Sequence, residues 1–212
     1  MYSIISKAHK NKINLNTSIK IDKAFIVQGD GIIKDLENIQ NLTILELLTF
    51  MIIYSDNTAT NILIDLIGFD CINENAKILN LKNTSLNRKM MDFEKINNGI
   101  DNFTSASDLS IILEHIYYYS DNYFRNIMID ILKNQKIKGG LDLHLPKDLI
   151  IGHKTGDLDY LEHDVGIVFL ENSNYIICVL TKNIINPDAQ KLIGEISKIT
   201  FNFFNKKKHP PA

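Results

Sequence analysis

Tyr54-Ser55-Asp56-Asn57 interrupts two strongly apolar helical runs, Leu42–Tyr54 before it and Thr58–Ile67 after it. Three polar residues in succession at such a point need a reason. Capping is one. Ser, Asp and Asn all favour helix ends, and Asp56 or Asn57 is the candidate N-cap of the run that stops at Gly68. Chemistry is the other. Ser-x-Asn at a helix break sets a hydroxyl and an amide on one side of a short loop, where the hydroxyl can relay a proton and the amide can bind a substrate carbonyl. Upstream, Thr43-Ile44-Leu45-Glu46 is a capping-box pattern. The helix it opens, Ile44–Tyr54, is apolar on nearly every face, which predicts burial all round at the centre of a helical lobe.

The rest of the N-terminal two thirds is also helical in pattern. Ile4, Ile5 and Ala8 read as the end of an apolar helix over residues 1–10 that begins before Met1. Thr17–Ile21 alternates like a short strand, and Gln28-Gly29-Asp30-Gly31 is a turn. Asp70 is the candidate cap of a helix over Cys71–Leu79, and helices follow over Ser107–Tyr119 and Asn122–Asn134. Between them Asn83–Phe103 has no clear period, and an ordered loop of that length inside a compact domain is often functional.

After Pro146 the period changes. Leu149–His153, Val165–Leu170 and Tyr175–Thr181 read as strands, joined by turns at Asp157–Glu162 and Glu171–Asn174. The last two are nearly continuous apolar runs, which predicts a sheet covered on both faces. Asn186-Pro187 opens a final helix to about Phe204, with Ile193, Ile196, Ile199 and Phe203 as the stripe laid on that sheet. The predicted class is α+β: a helical lobe plus a three-stranded antiparallel sheet covered by a C-terminal helix. The chain reads as one domain over 1–212, with a helical lobe at about 22–145, an α/β lobe from 1–21 and 146–205, and a polar tail at 206–212.

Composition narrows the function. A chain of 212 residues buries enough surface to fold without staples. Its net charge of -2 offers no basic excess for phosphate contacts, so nucleic acid is not predicted as a partner. No run of apolar residues is long enough to span a membrane, and Met1–Ser6 lacks the features of a signal peptide. Cys71 and Cys178 fit no metal spacing and read as small hydrophobes. His144, His153 and His163 show no ligand pattern, so neither metal nor cofactor is predicted. Asp159, Glu162 and Asp164 read as a solvated turn.

A second chemical stretch, His153-Lys154-Thr155-Gly156, closes the first β run. Lys154 supplies a positive field and Thr155 a hydroxyl for a carboxylate. Gly156 lets a ligand approach the strand, and the backbone N–H of Asp157 is placed to donate to an oxyanion. Ser55-Asp56-Asn57 followed by Lys154-Thr155-Gly156 resembles the class A β-lactamases and related penicillin-binding proteins, whose motif set is S-x-x-K, S-D-N and K-T-G. The resemblance extends over nearly the whole chain and agrees with the predicted order of helices, sheet and terminal helix. It implies a serine hydrolase acting on β-lactam amides or on peptidoglycan peptides. Ser55 would pass a proton to the leaving nitrogen, Asn57 would bind substrate, and Lys154 and Thr155 would hold its carboxylate. It also implies a monomer, no cofactor, and export from the cytoplasm.

Two departures qualify it. No serine of the chain has Lys three residues later; only Thr17 with Lys20 mimics the pattern, in a strand-like stretch too close to Ser55. By the family's pattern the nucleophile falls before Met1, together with an N-terminal helix and the first two strands, which leaves Tyr175–Thr181 as an unpaired edge. The second departure lies in Asn83–Phe103. Glu94 and Asn98 have the spacing of the family's deacylating pair, yet an ungapped count from Ser55 puts Met91 at the Glu position, and Arg88 is placed to anchor the loop on Asp101. Three readings follow: a β-lactamase, a penicillin-binding D,D-peptidase, and a remnant without its nucleophile.

Overall fold

The computed structural model describes residues 1–37, 39–171 and 173–206. Of the tail expected at 206–212, residues 207–212 lie outside the described residues, and Lys206 closes the last helix.

Helix α1 (Tyr2–His9) buries Ile4, Ile5 and Ala8. Strands β1 (Ser18–Lys20) and β2 (Asn41–Thr43) pair antiparallel, with Ile19 opposite Leu42. Helix α2 (Ile44–Ile53) opens with the expected capping box. The Thr43 hydroxyl accepts from the Glu46 N–H, and the Glu46 carboxylate accepts from the Thr43 N–H. The Thr43 N–H and the Thr43 hydroxyl both donate to that carboxylate, at 2.7 and 2.8 Å, and hold it below its ordinary range. Leu47 and Leu48 are fully buried, and every other residue of the helix except Glu46 is buried or half-buried, because the larger core surrounds it.

Helix α3 (Asn57–Ile67) stops at Gly68, whose φ of 77° also starts α4 (Phe69–Ile78). This corrects the expectation for Asp70. One left-handed glycine separates the two helices, so no side chain caps α4, and Asp70 sits in its first turn, where a carboxylate suits the helix dipole. The long loop contains a short helix, α5 (Phe93–Asn97), and is tied at its neck by paired backbone bonds between Ser85 and Phe103. Helices α6 (Ala106–Tyr117) and α7 (Asn122–Lys133) complete the helical part.

Strands β3 (Ile150–Leu158), β4 (Leu161–Phe169) and β5 (Tyr175–Leu180) form an antiparallel sheet in the order β3-β4-β5. The first two are longer than their apolar runs. The expected turn Asp157–Glu162 shrinks to Asp159-Tyr160, with Tyr160 at a φ of 59° and Leu158 paired with Leu161. Polar residues at the sheet end pair across the ladder as well as apolar ones do, and hydropathy does not see them. Alternation splits the sheet into two faces. Val165, Ile167, Ile176 and Cys178 face the larger core with α2, α6 and α7. Val168, Tyr175 and Ile177 face Leu141 and Ile193 of helix α8 (Asn186–Lys206). Cys71 and Cys178 are both free and half-buried, and burial raises the Cys178 thiol to about 11.

The stripe on α8 departs from the expected one. Ile193, Ile196 and Phe204 pack on the sheet, but Ile199 and Phe203 are 68% and 58% exposed. At about 100° per residue the buried face runs through Ser197, whose hydroxyl donates to the Leu141 carbonyl at 2.7 Å, and turns Ile199 and Phe203 outward. The capping box predicts that Thr43→Ala lowers stability by about 1 kcal/mol in urea unfolding, because it removes an N-cap acceptor and leaves a helix-end N–H unpaired.

Candidate active site between the helix break and the sheet edge

The α2–α3 break is built around Asp56, which is 1% exposed. Its Oδ1 accepts from Ala59 N–H at 2.8 Å as the N-cap of α3. Its Oδ2 accepts from the N–H groups of Ile32 and Ile33 at 2.7 and 2.8 Å. Gly31, at a φ of 115°, lies so close to this carboxylate that a Cβ there would collide with it. Asp56 therefore caps a helix and ties the 28–33 turn to it. The neighbouring residues follow: Asn57 N–H donates to Asp30 O at 3.1 Å, and the Thr58 hydroxyl accepts from Val27 N–H at 3.0 Å.

With Asp56 held this way, Ser55 takes a left-handed φ of 52°. A non-glycine residue there costs about 1 kcal/mol or more and persists only when its surroundings fix it. Asp56 N–H reaches back to Phe50 O at 3.2 Å, which closes the loop over Ser55. The Ser55 side chain is left facing the sheet edge. Lys154 of β3 donates to its Oγ at 2.5 Å and to the Thr155 carbonyl at 2.6 Å. Burial brings the Lys154 ammonium down to about 8, while the charges of Asp164 and Asp30 pull the other way.

Ser55 lines a cavity of about 250 Å³ together with Asp30, Thr155, Asp157, Glu162 and His163. The structure thus brings together Ser55, Lys154, Thr155 and Asp157. Asn57 does not line this cavity; its Nδ2 donates to Gln28 O at 3.4 Å and lies beside Gly29 and Met91. Gly156 pairs with His163, and a Cβ there would make only ordinary contact with the His163 ring.

The expected solvated turn at Asp159, Glu162 and Asp164 is only partly one. Glu162 and Asp164 are buried. Asp164 bonds the fully buried His153 ring at 2.9 Å, and its Oδ2 accepts from Leu141 N–H at 2.8 Å. A Cβ at Gly140 would collide with that carboxylate, and one at Gly166 with His153. The pair joins the 137–141 loop, which supplies Ile137 and Gly140 to the cavity wall, to the strand that carries Lys154. From the other side, buried Gln135 donates to Ile52 O at 2.9 Å and accepts from the N–H groups of Lys136 and Ile137. Asp164 and Gln135 did not stand out in the sequence as part of the site, and His153 did only as the residue that opens the Lys154-Thr155-Gly156 stretch. The usable signal was a charged residue and a histidine breaking otherwise apolar strands. Glu162 accepts from Gln190 at 2.7 Å, and burial raises its carboxyl.

In the long loop, Arg88 clasps Asp101 at 2.7 Å, as expected. Burial pushes the Asp101 carboxyl up, but the Asn102 N–H and the Arg88 guanidinium outweigh it and hold the group low. Asn61 of α3 accepts from Met90 N–H at 2.8 Å and donates to Met90 O at 3.1 Å, which seats the loop on the helix after the break. Glu94 is exposed on α5 and does not line the cavity; Asn98 is the C-cap of α5. Thr17, the only residue to mimic the absent Ser-x-x-Lys, precedes β1.

Two outcomes follow from this geometry. Asp56→Ala should cost about 3 kcal/mol in urea unfolding, since three N–H groups lose a charged acceptor, and Asp56→Asn, which keeps an acceptor, should cost clearly less. Lys154 titrates lower in the folded chain than in the unfolded one, so unfolding takes up a proton between about pH 8 and pH 10.5. Stability should therefore rise with pH through that window. Unfolding of the parent and of Lys154→Met across it checks the sign: the variant should lose the rise.

The sequence model of the Beta-lactamase enzyme family matches residues 1–204. β-Lactamase VEB-1 of Pseudomonas aeruginosa is 22% identical over 227 residues, an alignment covering 97% of this chain and 75% of VEB-1. The crystal structure of a β-lactamase from Sphaerobacter thermophilus superposes with a TM-score of 0.87 at 24% identity, over 99% of this chain and 80% of that one. The structure of PBP-A superposes with a TM-score of 0.86 at 26% identity, over 96% and 77%. With helices, sheet and terminal helix in the same arrangement, and a family match over nearly its whole length, this chain belongs to the beta-lactamase enzyme family.

Proposed function

We propose that the cavity between the helix break and the sheet edge recognises β-lactam amides, as the wall of a class A β-lactamase-type serine hydrolase. The observation that carries this reading is the 2.5 Å bond from Lys154 to Ser55, which joins the two sequence motifs beside the cavity that Ser55 and Thr155 line. The roles follow from chemistry. Lys154 and the Thr155 hydroxyl meet the substrate carboxylate. Ser55, held by the lysine, hands a proton to the nitrogen that leaves when the amide opens. Asp157 and Glu162 also line the cavity, and one oxygen of each accepts from a side-chain amide of α8, Asn186 or Gln190.

A second reading has its own support. Glu94 does not line the cavity, and the loop turns Met91 toward Gly29 and Asn57. Without Glu94 at the cavity to activate water, an ester formed with substrate persists, which is penicillin-binding rather than turnover. One of the similar structures is an acyl-enzyme complex of a PBP-A mutant with penicillin G.

The test is benzylpenicillin binding to the 212-residue chain by calorimetry. Binding is expected, and Thr155→Val should weaken it about tenfold, the cost of one hydrogen bond to a charged group, without lowering the melting temperature. Equal affinity in Thr155→Val, or no binding at all, would sink the reading.

A further inference from the structure

We propose that the C-terminal half of α8 is a surface for docking on an anionic lipid bilayer, with Ile199 and Phe203 seated among the headgroups and the nearby lysines paired with lipid phosphates. The inference is independent of what the cavity binds. It starts from the face of α8 that the sheet leaves uncovered. Leu192, Ile199 and Phe203 are 45%, 68% and 58% exposed, and Ile185, just before the helix, is 52% exposed. At about 100° per residue these four fall within about 40° of one another, so they form one apolar line along the helix. At about 1.5 Å of rise per residue the line is about 27 Å long. Apolar side chains scattered singly on a surface need no explanation, but a continuous line does.

Charge decides which partner the line fits. Glu195 is the last acidic residue of the sequence; from Ile196 to Ala212 there are Lys198, Lys206, Lys207 and Lys208 and no Asp or Glu. The whole chain has a net charge of -2, so this end is basic against an acidic remainder. The acids of α8 lie towards its other end: Asp188 in the first turn, and Glu195, which faces His144 at 3.5 Å. Ile199 and Phe203 therefore belong to the half of the helix without acids. Lysine can lay its methylenes along apolar surface while its ammonium reaches a phosphate. A helix with apolar side chains beside lysines lies in the plane of the headgroups and does not cross the bilayer. No helix among the described residues is long and apolar enough to cross. A nucleic acid would use the lysines but not the apolar line.

Contacts on the opposite side of α8 set the line. Phe204 turns inward and stacks on Tyr175 of β5 at 4.7 Å, and Phe203 meets Phe204 edge-on at 5.3 Å. The bond from Ser197 to the Leu141 carbonyl fixes the roll of the helix on its buried face. The outward side chains are thus placed before a partner arrives, and docking orders little that is not already ordered. Lysines at a helix C-terminus also suit its dipole. That use needs no apolar line beside them, so the two roles can be separated.

The experiment sediments the 212-residue chain with vesicles of phosphatidylcholine alone, and with vesicles of three parts phosphatidylcholine to one part phosphatidylglycerol. Binding is expected to the mixed vesicles only, and about 1 M salt, where the Debye length is about 3 Å, should abolish it. Ile199→Ser removes the apolar side chain without adding charge and should weaken binding about tenfold. Joint replacement of Lys206, Lys207 and Lys208 by Gln should weaken it about a hundredfold. Melting temperatures show that each variant folds like the parent. The chain has no tryptophan, so Ile199→Trp gives a single emission, which should move to shorter wavelength on the mixed vesicles and not on phosphatidylcholine. No sedimentation with the mixed vesicles, equal sedimentation with both kinds, indifference to salt, or an unmoved tryptophan emission overturns the proposal. Binding that keeps its full strength in Ile199→Ser is adsorption of the lysines alone and overturns it too, as does binding that keeps its strength without those three lysines. Self-association without lipid that Ile199→Ser abolishes, together with no vesicle binding, overturns it in favour of a second copy of the chain.

Discussion

The Asp56 carboxylate is the constraint on which the site depends. It sits out of water with three N–H donors aimed at it, two from the turn after Gly31 and one from the first turn of α3. An ionised group in such a place is tolerated only because its bonds are made, and the same bonds oblige the backbone on both sides to stay where it is. Ser55 inherits its left-handed conformation from this arrangement, and Asp30 its place beside the cavity. Capping and chemistry, which looked like competing explanations of one short polar stretch, are two results of one buried carboxylate. Asp56 holds the structure, and Ser55 is free to face the sheet because Asp56 does so.

On the sheet side a second buried acid has a similar part. Asp164 binds His153 and the Leu141 N–H, so it fixes the 137–141 loop to the strand bearing Lys154. It also places a negative charge close enough to oppose the effect of burial on that lysine. The site is thus framed by two enclosed carboxylates, neither lining the cavity, each locking a turn that does. Exposed charges would do this poorly, since solvent screening leaves surface pairs little energy to hold a geometry.

Much of the fold was legible because its signals are local. The capping box at Thr43 and Glu46, the stop at Gly68, the β runs after Pro146 and the Asn186-Pro187 start each reflect backbone chemistry within a few residues. Ser55, Thr155 and Asp157 of the cavity, and Lys154 beside it, were legible as motifs, although only the fold shows that Lys154 and Ser55 touch. What the sequence hid was long-range. Asp164 and Glu162 look like turn residues until cross-strand pairing and α8 enclose them. Gln135 has nothing beside it in sequence to reveal that it bonds the end of α2, 83 residues away. The outward turn of Ile199 and Phe203 was missed because Ser197, not an apolar residue, occupies the buried face of α8.

The hairpin tip at Asp159-Tyr160 carries an implication for how this surface can change. Side chains alternate along β3, so Lys154 stands on the face of the larger core while His153 bonds on the other, and the register that begins at the Leu158–Leu161 pair and runs down the ladder sets which residue goes where. Adding one residue at that distant, solvent-facing tip would invite the strand to slide by one place, bringing an imidazole to the serine and sending the ammonium into the packed space above α8. The two-residue loop is therefore a counting device for the chemistry, and length there matters more than the identity of either residue it contains.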